Sequence, residues 1–548
     1  MRLPANKRSV KTVERVLCGK EGIFGDSGVI YAENMDLSFL PTLAPRKPRT
    51  RLQGLTGNIL QFFSNGERVC IIMRNRGAYS ARIFTPGASR LETIALNAPR
   101  SEAFLHVHVW RGARLYLPAF SAVIDTDALS VFYVDRPLVA GEAELEYDQE
   151  QAAKKRHVVH FLDGDLEQYL PGESVLVEYS YFEAIASRKL FLRIVSVDAE
   201  SGAITLEGEG APDLVNSDPG TVQLRYDIPA LVGVFGDHER LYGFERNCIY
   251  VSAKGEESFC FTPHEIHDVA HAAVKIELDA EVTGGCMYKG KPCFFTDGAV
   301  VWLFEDAELG FRVSVIPTVG VTPKAVSSPA VIGDKICYFS RHGLSLFDGK
   351  RGRVVRADLT APQGGAAVAD GRFYTFFATG AEGDALYAYD PESDLLYSLG
   401  SNESIDVSFA LGSVLIGIGG TATKLVVFAE EDSLPYPISA MVESGVLTKT
   451  SESSYQSVLR FGKDRLSQGE FSPFAVLLDA ELSEGATLTL ELWCDEGETP
   501  IHSFTLQGAL PRKVHELLCY PRHCQSYHVR VCGEGDFRVF DIRTQRRV

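Results

Sequence analysis

The sequence predicts an all-β fold: a β-propeller of about seven blades with an inserted small β-barrel and a C-terminal β-sandwich. Three observations lead there. Helical periodicity is scarce, whereas short runs rich in Val, Ile, Phe and Tyr, broken by Gly, Asp and Asn, recur almost everywhere. A hairpin with a glycine turn returns at a nearly constant spacing. One long gap in that spacing, and its end near residue 440, set off two segments of different pattern.

The recurring hairpins read "NILQFFSNGERVCIIM", "LHVHVWRGARLYLP", "ALVGVFGDHERLYGFE", "GGCMYKGKPCFFT", "SSPAVIGDKICYFS", "GAAVADGRFYTFF" and "VSFALGSVLIGIGG". Their turn glycines, Gly66, Gly112, Gly236, Gly290, Gly333, Gly371 and Gly412, stand about 40 to 54 residues apart, except for one gap of about 124. Removing roughly 80 residues from that gap restores the period. Most units add a further strand ending in an aromatic and a polar turn, as in "VFYVD", "CIYVS", "VVWLFED", "LSLFDG", "LYAYDPESD" and "LVVFAEED". Two hairpins per period make a four-stranded blade; a count of six or eight stays open.

Residues 1–138 are read as an N-terminal segment with the first blades, and 225–440 as the remaining blades. The insertion, 139–224, opens with the charged "EAELEYDQEQAAKKR" and continues through "HVVHFL", "ESVLVEYSYF", "KLFLRIVSVD" and "GAITLEGE", four or five alternating strands that suit a small barrel. From 441 to 548, "SVLRFGK", "FAVLLDAEL", "ATLTLELWC", "PIHSFTLQG", "KVHELLCY", "YHVRVCG" and "FRVFDIR" are strands enough for a sandwich or jelly roll.

The chain has 548 residues and a formal net charge of -18, which argues against gripping nucleic acid through its phosphates. Such a charge would let DNA slide past without sticking, or serve solubility alone. No run approaches the roughly 20 apolar residues of a membrane-spanning helix. The basic start "MRLPANKRSVKTVERVLCGK" lacks an apolar core, so no secretion signal is expected. Eleven cysteines without framework spacing are expected to be free thiols.

Four stretches carry residue types that can do chemistry. In "HEIHDVAH", His264, His267 and His271 would share a helix face, as in a zinc site, but the flanking strands leave little room for a helix. That stretch is read as a link between blades, with His267 and His271 as polar partners in it. "GCMYKGKP", Gly285 to Pro292, has phosphate-loop spacing up to Lys291, yet Pro292 stands where a Ser or Thr belongs and a strand follows, so a hairpin turn is expected. His515, Cys519, His523, Cys524, His528 and Cys532 are zinc-binding types without a paired CxxC, and either a structural zinc or buried packing would use them. His106 and His108 share one face of an expected strand, with no third ligand in view. No catalytic, cofactor-binding or metal residue is assigned, and no cofactor is expected; GxSxG, HExxH, dinucleotide and calcium-loop patterns are absent.

Residues 230–261, "ALVGVFGDHERLYGFERNCIYVSAKGEESFCF", resemble a hairpin of bacteriophage tail propeller proteins: "RL" and an apolar strand, then "N-x-[IV]-[YF]-x-S-x-x-G-[DE]" and an aromatic. Arg240, Leu241, Asn247, Ile249, Tyr250, Ser252, Gly255, Glu256 and Phe259 fill that pattern. "GVIYAENMDLSFLPTLAPRKPR", residues 28–49, is similar to the family's opening, with "ENM" before "P-x-L-x-[PS]-R-x-P-R". "YPRHCQSYHVRVCGEGDFRVFDI", residues 520–542, resembles its closing strands. The family comprises tail-nozzle and packaged-DNA stabilisation proteins of short-tailed phages and propeller proteins in tail gene clusters of gut-bacterial phages.

The resemblance implies a non-enzymatic virion protein of a phage tail or neck, assembled in the bacterial cytoplasm. It implies a homo-oligomeric ring or collar around the tail axis that docks other tail proteins, with no specific nucleic-acid recognition and no membrane insertion. A receptor-binding role is the alternative, the sandwich meeting a host-surface glycan through aromatics such as Trp493, Tyr520 and Tyr527. A propeller glycoside hydrolase is the remote one.

Overall fold

The computed structural model describes residues 10–14, 29–36, 42–55, 57–100, 102, 105–133, 139–141, 143–146, 150, 153–161, 166, 169, 171–172, 174–181, 187–208, 219–225, 229, 231–237, 239–255, 261, 273–306, 310–361, 367–369, 372–380, 383–400, 405–411, 414–419, 424–427, 434–452, 455–461, 464–465, 472–495, 497–520 and 523–547. The chain divides into two compact units: residues 55–366 with 436–446, and residues 1–54 with 367–435 and 447–548. The fold is all-β and of the propeller class, with five blades in the one unit and two in the other.

In the unit of residues 55–366, each blade is a four-stranded antiparallel sheet in chain order. The first comprises Asn58–Ser64, Val69–Asn75, Ala78–Phe84 and Glu92–Leu96; the second, Val109–Arg111, Arg114–Leu117, Ala122–Asp125 and Ser130–Tyr133. The third comprises Gly233–Gly236, Leu241–Glu245, Cys248–Val251 and Val274–Glu277; the fourth, Val282–Tyr288, Lys291–Thr296, Ala299–Asp306 and Gly310–Pro317; the fifth, Ala330–Ile332, Lys335–Ser340, Gly343–Phe347 and Gly352–Arg356. A sheet with two apolar faces is stable only if both are covered, and each blade covers the next. Phe63 and Ile72 of the first pack with Leu115 and Ile124 of the second; Tyr116 and Val123 of the second pack with Leu231 and Leu241 beside and in the third. Phe244 and Ile249 then meet Phe294 and Val301 of the fourth, whose other face sets Phe295 against Tyr338 of the fifth.

The inserted barrel has seven strands where four or five are expected from the sequence. Their order is Val139–Gly141, Pro219–Arg225, Ser174–Tyr181, Ser187–Asp198, Ala203–Glu207, Arg156–Phe161, Ala143–Glu146. The extra strands are Val139–Gly141 and Pro219–Arg225 at the two ends of the insertion and Ala143–Glu146 in its charged opening, which pairs with Arg156–Phe161. A single residue joins the two terminal strands, and Ala143–Glu146 also approaches Pro219–Arg225, so the sheet curls on itself. Strict alternation along Arg156–Phe161 and Ala203–Glu207 sends Val159, Phe161, Ile204 and Leu206 into a closed core with Val177, Tyr179, Ile194 and Val222. Arg114 of the second blade donates from Nη2 to the Gly172 carbonyl at 2.8 Å, tying the barrel to its blade.

The other unit holds two blades and the sandwich. Ala367–Ala369, Tyr374–Gly380, Gly383–Asp390 and Leu395–Gly400 form one blade. Ile405–Leu411, Val414–Gly419 and Lys424–Val427 begin the other, and the N-terminal strand Thr50–Gln53 completes it, Leu52 opposite Leu425 and Thr50 opposite Val427. Thr448–Ser451 pairs with the far side of Thr50–Gln53. The sequence reading gave this blade no N-terminal strand, because nothing local to residue 50 marks a partner near residue 425. The turn glycines of the two blades, Gly371 in the first and Gly412 in the second, lie outside the described residues.

The sandwich is likewise not confined to 441–548. One sheet orders Val10–Glu14, Phe537–Arg547, Ser472–Leu482 and Leu510–Leu518; the other runs Val29–Glu33, Ser457–Phe461, Ser526–Glu534, Thr487–Cys494 and His502–Gln507. Two strands from the segment assigned to the first blades thus complete it. Between the sheets lie Val476, Leu478, Leu490, Leu492, Val529, Val531, Val539 and Ile542. Because Leu52 is fully buried in the borrowed strand, Leu52→Ala is expected to cost about 2–5 kcal/mol, read as a lowered denaturant midpoint at unchanged slope.

Candidate functional site

The densest polar cluster lies in the unit with the sandwich, and it is built by the "ENM…PRKPR" segment. Asn34, Arg46, Arg49 and Glu452 are each less than 10% exposed. Arg46 presents both guanidinium nitrogens to one carboxylate, Nη1 to Oε2 of Glu452 at 2.8 Å and Nη2 to Oε1 at 3.1 Å, while its Nε donates to Asn34 Oδ1 at 2.9 Å. Its Cζ sits 4.0 Å from the centre of the Tyr455 ring. The Arg49 amide donates to Glu452 Oε2 at 3.2 Å, and its side chain donates to the carbonyls of Leu399 and Gly400. Asn34, at φ 54°, donates from Nδ2 to the Gln456 carbonyl at 2.8 Å. Gly400 passes so close that a Cβ there would stand 2.1 Å from Asn34 Oδ1.

Fork-on-carboxylate pairing with every remaining oxygen used is the condition under which buried charges are tolerated. Burial alone would raise the Glu452 pKa; the hydrogen bonds and charge of Arg46, and those of Arg49, outweigh it and hold the carboxyl below its ordinary value. The charged groups of the cluster bond to one another, to Asn34 and to backbone carbonyls. The cluster joins the N-terminal segment, the end of one blade and the strand entering the sandwich.

A second cluster, in the unit of residues 55–366, is built by the "RL…S-x-x-G" segment. Arg240, 2% exposed, donates from Nη1 to the Ser252 carbonyl and from Nη2 to Glu305 Oε1 at 3.1 Å, and Lys254 reaches the same oxygen at 3.1 Å. Ser252 Oγ accepts from the Leu241 amide at 2.8 Å, and Asn247 Nδ2 donates to the Leu278 carbonyl at 3.0 Å. The bonds of Arg240 and Lys254 to Glu305 tie the third blade to the fourth, and the others brace the third blade itself. Glu256 and Phe259 lie outside the described residues.

The structure disperses the residues that sequence reasoning offered for metal or ligand. His264, His267 and His271 lie outside the described residues. Gly285–Lys291 is a hairpin: Lys289 and Gly290 have φ of 51° and 72°, as a two-residue type I′ turn requires. Gly285 has room for no side chain, since a Cβ would meet the Phe235 ring at 2.2 Å. His106 and His108 precede the strand that begins at Val109 instead of lying on it; burial pushes both down to about 4, and His108 lies against Phe63 at 4.3 Å. Cys519 and Cys524 sit in the sandwich core with Cys494, where burial pushes the Cys519 thiol up to about 11. His528 points to the opposite face of its strand from Tyr527, Val529 and Val531 and stacks on Trp493 at 5.9 Å. Among the described residues no three His, Cys, Asp or Glu side chains gather as metal ligands. The nine described cysteines are all buried, and none of them is in a disulfide. Among the described residues, no helix is long and apolar enough to cross a membrane.

Fold and clusters together define a propeller protein whose buried ion pairs serve architecture. No family model matches the chain, and no curated protein matches it. Among solved structures it is similar to the computationally designed Ika8 protein, at 9% identity and TM-score 0.33 over 68% of this chain and 96% of that one. It is also similar to apo AztD from Citrobacter koseri (13% identity, TM-score 0.31, 68% and 99% covered) and BamB from Moraxella catarrhalis (11%, 0.30, 69% and 92%).

Glu452→Gln strands a buried guanidinium and is expected to cost about 3–5 kcal/mol, whereas Arg46→Met with Glu452→Met together should recover most of that loss; chemical denaturation of all three checks both. Because the Glu452 pKa is depressed on folding, its stabilisation is complete above the ordinary glutamate pKa and disappears as pH falls through the lowered value.

A second acid-sensitive group sits in the barrel. His157, 3% exposed and 2.6 Å from Tyr179 Oη, is held by burial down to about 4. The unfolded chain protonates near an ordinary histidine value of about 6.5, so stability is complete above that and declines toward pH 4. His157→Gln should flatten this part of the pH dependence of the thermal midpoint.

Proposed function

We propose that this chain is a non-enzymatic structural protein of a bacteriophage tail or neck, assembled in several copies around the tail axis and docking other tail proteins. One observation carries the reading. Positions that resemble phage tail propeller proteins include the ones that build the two clusters: Asn34, Arg46 and Arg49 in one, Arg240, Leu241, Asn247 and Ser252 in the other. The third segment behaves alike, Gly533 leaving space for the Phe537 ring and Gly535 turning the chain at φ 79°. A resemblance concentrated in architecture, with its charged residues spent inside, fits a component whose task is rigid form. A net charge of -18 suits a surface past which DNA moves without adhering.

A host-glycan role draws support from one place: Tyr520 is 85% exposed, with His502 at 6.0 Å. Tyr527, by contrast, is fully buried with its hydroxyl 2.7 Å from Thr544 Oγ1, so it offers no face to a sugar. Mass spectrometry and electron microscopy of purified particles from the producing host test the leading reading. Several copies arranged about the tail axis are expected; particles that lack the chain overturn it. Glycan-array binding abolished by Tyr520→Ala would establish the other role.

A further inference from the structure

We propose that this chain pairs with a second copy of itself through the sandwich edge strand Leu510–Leu518, antiparallel about a two-fold axis at Val514. The strand is the last in its sheet, bonded on one side to Ser472–Leu482, and no described strand pairs with its other side. The Cys519 amide donates inward to the Phe474 carbonyl at 2.7 Å. Alternation along an antiparallel ladder then turns the backbone groups of Leu517, His515 and Lys513 inward, and those of Leu518, Glu516, Val514 and Arg512 toward the open side.

Pro511, which has no amide hydrogen, falls where the register with the neighbouring strand shifts between Ala480 and Leu482. The unbroken part of the outward row therefore ends at Arg512.

The side chains agree with the backbone. Edge strands that avoid partners carry charges, prolines or bulges, or are short; here Pro511, Lys513 and the register shift gather at the start of the strand, and the stretch from Val514 to Leu518 is free of proline and bulge. This one runs nine residues and leaves Val514 54% and Leu518 68% exposed. About a two-fold axis at Val514, that residue meets its own copy, and Arg512 stands opposite Glu516 of the second copy on both sides. Two opposite-charge pairs thus flank an aliphatic pair on one face, the arrangement that stabilises antiparallel strands. Asp479, 2.9 Å from Arg512, and the Phe540 ring, 3.9 Å away, already hold that guanidinium on this face. The interface is isologous and closes at two copies. The argument rests on strand order, register and the side chains of this edge, so it stands or falls apart from the tail assignment.

Sedimentation of the full chain across the micromolar range tests it. A concentration-dependent dimer is expected. Val514→Pro removes an outward donor while leaving the inward ladder intact and should abolish the dimer. Glu516→Arg sets arginine against arginine and should raise the dissociation constant about tenfold or more; adding Arg512→Glu should restore dimerisation by exchanging the charges. Circular dichroism on each variant separates loss of pairing from loss of fold. A wild-type chain that stays monomeric throughout, or a dimer indifferent to both Val514→Pro and Glu516→Arg, overturns the proposal.

Discussion

The buried Arg46–Glu452 pair is the interaction on which the sandwich-bearing unit depends. Residues 34–49 lie between two N-terminal strands with different destinations: Val29–Glu33 joins the sandwich, and Thr50–Gln53 completes a blade. The pair and its surrounding bonds fix the path between them, with 406 positions separating its members in sequence. Charges so far from water are tolerable only when the partner set is complete. Here Asn34, the Arg49 amide, the carbonyls of Leu399 and Lys47 and the Tyr455 ring complete it. Such a cluster also demands one chain path, because a shifted register would strand either charge.

The two units solve the burial problem differently. From residue 55 to 366, consecutive blades cover one another, and even the buried Arg240 reaches only 65 positions along the chain, to Glu305. Contacts of that range form as each blade follows its neighbour. The other unit draws strands from both ends of the sequence, so its sheets are complete only when the last strand, Phe537–Arg547, is present to pair with Val10–Glu14. Loop-closure entropy is paid there before packing repays it. Dense hydrogen bonding around Arg46 is a physical counterweight to that cost.

What the sequence discloses follows the same division. The blade period is legible because its signals are local: a glycine with positive φ at 66, 112, 290 and 333, flanked by β-branched and aromatic residues. Alternation discloses the barrel strands around Val159 and Ile204, yet Ala143–Glu146 hides behind its charges, since one face of that strand is allowed to be polar. Long-range pairing is illegible. Nothing near Leu52 announces Leu425, and nothing near Glu452 distinguishes it from any solvated glutamate. The similarity segments do pick out Arg46, Arg49 and Arg240. Their burial can be known only from the fold, because arginine is ordinarily a surface residue. The histidines at 106 and 108 misled for a related reason: period-two reasoning assumes a strand, and the strand starts one residue later.

Unpaired sheet edges are the feature through which architecture bears on assembly. A β protein must close, cover or blunt each edge. The barrel curls until Ala143–Glu146 approaches Pro219–Arg225. The blade completed by Thr50–Gln53 receives Thr448–Ser451 as a further cover. Outer blade strands are mostly short, four or five residues, although Gly310–Pro317 runs eight and leaves Val315 55% exposed. Leu510–Leu518 is longer still and turns the donors of Arg512, Val514 and Glu516 outward in one row. A chain that takes such care elsewhere and leaves a long edge open gains nothing in its own stability by doing so. Backbone donors and acceptors on that side stay hydrated until another strand arrives, and a strand is the one partner that satisfies them all in a single register.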